Sequence, residues 1–211
     1  MIEQFNEILV LAPHTDDGEL GLGATISHLT SLGRKVTYIA FSTAKESVPK
    51  GFPSDILKTE VHNATGVLGI KPENLIVYDY QVRKLNYYRQ EILEDLIKIR
   101  NSNHFDLVFV PSLHDIHQDH TTIAQEGLRA FKHTTLLGYE LIWNNLTFSP
   151  NCFVRLNNDD VMSKINALKE YKSQGCRDYL SEDFIRSLVR ARGVQAGYEY
   201  AEAFEVIRLF M

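Results

Sequence analysis

The apolar runs Ile8-Leu9-Val10-Leu11 and Leu107-Val108-Phe109-Val110 constrain the fold more than any other part of the chain. Neither alternates apolar with polar, as a strand with one wet face would, and both are too short for buried helices. They read as strands covered on both faces, an arrangement found almost only in parallel sheets flanked by helices. The rest of the first two thirds fits that frame. Gly21–Leu32 predicts a helix closed by Gly33, Lys35–Phe41 a β-branched and aromatic strand, and Ser54–Leu68 a helix ended by Gly69. A short strand at Leu75–Tyr78, an amphipathic helix at Arg89–Arg100, a helix at Asp119–Phe131 and a strand at Thr135–Ile142 continue the alternation. The expected fold is α/β: a Rossmann-like, doubly wound, mostly parallel sheet with helices on both faces. Beyond it, Cys152–Leu156 and Phe204–Phe210 read as strands, with helices at Asp159–Tyr171 and Ser181–Arg192.

A length of 211 residues fits one domain, with residues 1–145 as the Rossmann-like core and 146–211 as a C-terminal extension of it. The net charge of -5, with no Lys/Arg run longer than two, speaks against a nucleic-acid partner. A small polar substrate fits better. No apolar stretch reaches membrane-spanning length, and the acidic start Met1–Glu7 lacks the positive n-region of a secretory signal. The two cysteines, Cys152 and Cys176, match no metal or redox spacing and read as free thiols in a reducing cytoplasm.

Each doubly buried strand is followed directly by a cluster of metal-binding side chains. Pro13-His14-Thr15-Asp16-Asp17-Gly18-Glu19 follows the first, and His114-Asp115-Ile116-His117-Gln118-Asp119-His120 the second. In open α/β sheets, the loops beyond the strand carboxyl ends carry the chemistry, most often where strand order reverses. A catalytic zinc site usually has three protein ligands and one open position. His14, Asp17 and His120 would supply two imidazoles and one carboxylate. Adjacent Asp16 and Asp17 point different ways from a regular backbone, so one can bind metal while the other serves as a general base toward water. His117, three residues before His120, can reach the same cavity from the first turn of a helix and donate to a developing oxyanion or to a leaving amine.

PHTDDGELGLG resembles the (A/P)HPDDE signature of the PIG-L (LmbE-like) N-acetylglucosaminyl deacetylases, and HQDH resembles their second motif, HxDH. Tyr171-Lys172-Ser173-Gln174 and the stretches 191–193 and 200–204 are weaker echoes. The resemblance implies a Rossmann-like fold and hydrolysis of an N-acyl bond, usually acetyl, on an amino sugar or glycoconjugate. It implies that His14, Asp17 and His120 bind Zn2+, with Asp16 as general base and His117 assisting the tetrahedral intermediate. Fe2+ suits the same donor set. Relatives of this family are often oligomeric, so a homo-oligomer is a further expectation. The sequence departs from the pattern at Thr15, where the family has Pro, and at Gly18, where it usually has Glu. Glu19 follows as a candidate near the metal or as a helix N-terminal charge.

Other features weigh less. Arg83, beyond the third strand, is a candidate for a substrate hydroxyl, phosphate or carboxylate, and Asp79 shares that rim. His114 and Asp115 read as loop residues rather than ligands. Gly21 and Gly23 lack the third small residue and the acidic strand end of a dinucleotide site, and read instead as points of close helix–sheet packing. The alternatives left open are hydrolysis of a non-sugar amide or N-formyl group on the same framework, and a carbohydrate-binding protein without catalysis.

Overall fold

A computed structural model describes residues 2–175 and 177–210, so Cys176 lies outside the described residues. Strands β1 (Glu7–His14), β2 (Lys35–Ser42), β3 (Leu75–Val77), β4 (Leu107–Pro111), β5 (Thr135–Tyr139), β6 (Cys152–Leu156) and β7 (Tyr200–Arg208) form one seven-stranded sheet of order β3-β2-β1-β4-β5-β7-β6. The five from β3 to β5 are parallel, and β7 runs antiparallel to both β5 and β6. The C-terminal stretch thus extends the same sheet. The helices are α1 (Asp17–Ser31), α2 (Ile56–Val67), α3 (Arg89–Ser102), α4 (Gln118–Ala130), α5 (Asn158–Lys169) and α6 (Glu182–Ala196).

The side chains of β1 alternate between two cores. Ile8, Val10 and Ala12 pack with residues of α1, α2, α5 and α6, whereas Leu9 and Leu11 pack with α3 and α4. This double covering is why β1 lacks a polar face. The chain winds from β1 outward through β2 to β3, then returns to place β4 on the other side of β1. The reversal leaves a crevice between the carboxyl ends of β1 and β4, where ligands bind in folds of this kind.

Several boundaries differ from the sequence reading. β1 continues through Pro13 to His14, which pairs with Ser42, so His14 is fixed by the sheet itself. Helix α1 begins at Asp17 rather than Gly21, and its backbone leaves helical geometry at Leu22 (φ -149, ψ 24). Gly18 and Gly21 are poor helix formers and hide that first turn from a propensity argument. Tertiary contacts form it. Lys164 Nζ donates to the Leu20 carbonyl at 2.7 Å and to Glu202 Oε1 at 2.7 Å. The Glu202 carboxylate accepts from Ala24 N at 3.2 Å and Thr25 N at 2.7 Å. A buried ion pair therefore takes up the backbone groups that the kink releases. β7 starts at Tyr200 rather than at Phe204; the buried acid Glu202 masks the strand pattern in the sequence. Helix α5 is capped by a reciprocal Asn157–Asp160 capping box rather than by Asp159, and α6 continues past Arg192 to end at left-handed Gly197.

Close packing accounts for two glycines. A Cβ on Gly21 would lie 2.3 Å from the Tyr139 ring, and one on Gly18 would lie 2.5 Å from the Tyr38 ring.

Candidate active site

β1 delivers His14, the start of α1 delivers Asp16 just before it and Asp17 as its first residue, and the loop from β4 with the first turn of α4 delivers Asp115, His117, Asp119 and His120. Their convergence follows from the topology, because β1 and β4 are neighbours. Asp17 Oδ2 accepts from the His14 backbone N at 2.8 Å, which turns its carboxylate back toward the strand end. The same oxygen lies 3.2 Å from His14 Nδ1 and 3.3 Å from His120 Nε2, and those two nitrogens are 3.3 Å apart.

That triangle has a chemical reading. His14 Nε2 is 3.0 Å from Asp119 Oδ2, and His120 Nδ1 is 2.7 Å from Asp115 Oδ2. Each carboxylate takes the proton-bearing nitrogen of its imidazole, so the opposite nitrogens point lone pairs at the carboxylate of Asp17. Three acceptors facing one another require shared protons or a cation. An edge of about 3.3 Å is what tetrahedral ligands at zinc-like bond lengths would have, so the residues fit a small divalent ion. In the metal-free protein, protons fill the role. Burial opposes charge on both imidazoles, but the neighbouring carboxylates outweigh it, raising His14 to about 9 and His120 to about 10. The Asp17 carboxyl is held well below its usual range: burial opposes its charge, but His120 and His14 prevail.

His114 is exposed, as a loop residue should be, but Asp115 is buried and orients His120. Asp115, read from the sequence as a loop residue, and Asp119, given no role there, both contact imidazoles of the cluster. Their only signal is their place, Asp115 two before His117 and Asp119 directly before His120. Asp119 does more than orient His14: its two oxygens accept from Arg83 N at 2.6 Å and Leu85 N at 3.1 Å, fixing the loop beyond β3.

His117 offers an imidazole nitrogen within 4.8 Å of donors on His14 and His120 and stacks on His120 with ring centroids 4.4 Å apart. Its hydrogen bonding nevertheless differs from theirs. As the residue preceding α4, it accepts from Asp119 N through Nδ1 at 3.1 Å. A neutral ring so placed carries its proton on Nε2 and can donate, whereas a ligand would need that position bare. Burial, with the two neighbouring histidines, lowers its pKa and favours this neutral form.

Asp16 precedes α1, and its side chain makes no capping bond. Burial and the adjacent Asp17 charge raise its pKa, while His14 and Arg177 pull it down. It lines a cleft of about 180 Å³ together with His14, His117, Arg83, Gln174 and Arg177. Asp79 is not brought there. It lines a neighbouring depression, accepts from Thr43 Oγ1 at 2.8 Å and pairs with Lys45.

Glu19 lies behind the loop. Tyr38 and Tyr171 both bond to its carboxyl group, and their hydroxyls also reach the Thr15 carbonyl, at 3.0 and 2.6 Å. Burial pushes Glu19 up to about 8, against the tyrosine bonds. This network, with Gly18 N donating to Tyr38 Oη at 3.1 Å, braces the segment that presents Asp16 and Asp17.

The chain is 26% identical to the diacetylchitobiose deacetylase of Thermococcus kodakarensis, over 97% of its own length and 85% of the relative's. Its fold superposes on N,N'-diacetylchitobiose deacetylase from Pyrococcus horikoshii with a TM-score of 0.82, covering 98% of this chain and 85% of the other, at 22% identity. It also superposes on GalB, the 4-carboxy-2-hydroxymuconate hydratase of Pseudomonas putida, with a TM-score of 0.77, covering 98% of each chain at 15% identity. At such identities the structural likeness speaks for the fold alone, and the fold evidently hosts more than one reaction. The profile of GlcNAc-PI de-N-acetylase (PIG-L) matches residues 9–131, more than half of the 211. This chain therefore belongs to the PIG-L deacetylase family.

Proposed function

We propose that this protein is a metal-dependent hydrolase that removes an N-acyl group, acetyl in the first instance, from an amino sugar or glycoconjugate. The observation that carries the reading is the triangle of His14 Nδ1, Asp17 Oδ2 and His120 Nε2, with Asp16 and His117 lining the adjacent cleft. His14, Asp17 and His120 would hold the ion, zinc by preference and ferrous iron as the other ion suited to two imidazoles and a carboxylate. When bound, such an ion supplies Lewis acidity, which polarises an acyl carbonyl and makes water easier to deprotonate.

The remaining chemistry belongs to the side chains. Asp16 has no capping bond to occupy it and accepts a proton from the attacking water. Its raised pKa strengthens it as a base while leaving it room to return the proton to the departing amine. His117, neutral and protonated on Nε2, donates to the acyl oxygen as negative charge gathers there. Asp115 and Asp119 hold the two metal-facing imidazoles in the required tautomers. Arg83 and Arg177 line the mouth where the rest of the substrate would lie. Among the described residues no helix is long and apolar enough to cross a membrane. The setting proposed for the reaction is the cytoplasm, with a small-molecule substrate.

The test is release of primary amine from a panel of N-acetylated amino sugars, N-formyl compounds and non-sugar amides by metal-loaded protein. Turnover of the acetylated sugars is expected. Turnover confined to non-sugar amides would move the activity to a different substrate class, and sugar binding with no turnover would make the protein a lectin-like one.

A further inference from the structure

Two residues other than glycine among those described adopt left-handed backbone conformations, Ala44 at φ 48 and Arg83 at φ 64, and both line the cleft beside Asp16. Such conformations cost free energy in residues with a Cβ and persist where surrounding structure enforces them. At Arg83 the enforcement is visible: its N–H donates at 2.6 Å to Asp119 Oδ2, the oxygen that also binds His14 Nε2. The backbone of Arg83 is thus locked to the carboxylate that orients a proposed metal ligand. Its exposed side chain makes no hydrogen bond or ion pair among the described residues. Arg177 lines the same cleft and bonds to the Tyr179 hydroxyl. The cleft lining therefore carries two guanidinium groups against one carboxylate, Asp16, in a chain whose net charge is -5.

We infer that the substrate carries an oxyanion, a phosphate or carboxylate on or next to the sugar, and that Arg83, with Arg177 beside it, receives it. A neutral sugar would leave the locked Arg83 without a partner, and a planar guanidinium fork suits phosphate and carboxylate oxygens. This inference rests on the reading of the cleft as an amino-sugar site, and it narrows the substrate to anionic sugars.

Calorimetric titration of metal-loaded protein with glucose, glucose 1-phosphate, glucuronate and inorganic phosphate tests the anion site without any acyl chemistry. The sugar phosphate or the glucuronate, according to which oxyanion the site takes, should bind at least about tenfold more tightly than glucose, the yield of charge-assisted hydrogen bonds. Inorganic phosphate binding as tightly as the sugar phosphate would show that the sugar adds nothing, and would overturn the inference. Arg83→Gly keeps the left-handed backbone without strain, so the fold is not at stake. It should abolish the preference, and Arg83→Lys should restore part of it. Anion preference that survives Arg83→Gly would take the anion away from Arg83 and overturn the inference, as would equal binding of all three sugars. Amine release from N-acetylglucosamine and its 1-phosphate separates the two readings. No turnover of either, with Arg83-dependent binding intact, defeats the activity and leaves the anion site. Equal turnover of both, with no binding preference, defeats the anion site and leaves the activity.

Discussion

Asp16 and Asp17 are neighbours with opposite electrostatics. Asp17 sits between two imidazoles and stays ionised, whereas burial and the Asp17 charge push Asp16 up. Asp16→Asn should lower amine release by roughly 10²–10⁴, while elemental analysis finds the metal content unchanged. Loss of the ion in that variant would move Asp16 among the ligands. The outer carboxylates behave differently. Asp119→Asn and Asp115→Asn should each weaken metal binding roughly 10–100-fold, read by competition with a chromophoric chelator. Affinities equal to wild type would show that the imidazole orientations are held by other means. That His14, Asp16, Asp17, His117 and His120 would meet at one edge of the sheet was legible in the sequence, because two loops rich in His and Asp each followed a doubly buried strand. Asp115 and Asp119 were not, because an acid that binds an imidazole and an acid that faces solvent look alike in a loop. Arg177 was equally hidden, since only the fold returns residue 177 to the rim of β1.

The helix α1 shows where local pattern fails at the level of elements. Its first five residues contain two glycines and two acids, and its kink at Leu22 depends on Lys164 from α5 and Glu202 from β7. No window of sequence around residue 17 contains those partners. The parallel strands were read well because burial on both faces imposes a composition that needs no distant partner. β7 was read short at its start because an ionic residue occupies a buried position. The Lys164–Glu202 pair is almost fully buried on both sides. Lys164→Met should therefore destabilise the protein by about 3–5 kcal/mol, leaving a buried carboxylate unpaired. Denaturant unfolding followed by circular dichroism measures this, and a change under about 1 kcal/mol would show that water replaces the ammonium group. Tyr171 and Gln174, part of a weak late motif, acquire a physical role in the fold. Tyr171 bonds to the Thr15 carbonyl and Glu19, and Gln174 lines the cleft.

At the scale of the whole molecule, metal and proton compete for one cluster. Without an ion, His14 and His120 titrate near 9 and 10 instead of 6.5, and Asp17 well below 3.8. The imidazolium contribution to stability is complete below pH 6.5 and is lost as pH rises through 9–10. The Asp17 contribution is present above pH 3.8 and fades as pH falls toward its depressed value. Metal binding must displace the imidazolium protons, so apparent affinity should rise with pH from neutrality toward 9, with proton release visible as buffer-dependent heats. Affinity independent of pH across that range would mean that the histidines are not the ligands. The most direct test of the whole account is amine release from N-acetylated amino sugars by metal-stripped protein, followed as zinc or ferrous ion is added back. Activity should rise linearly and level off at one ion per chain in the wild type, and should stay absent in His14→Ala at the same additions. Activity indifferent to the ion, or restored equally in the variant, would contradict a hydrolase built on His14, Asp17 and His120.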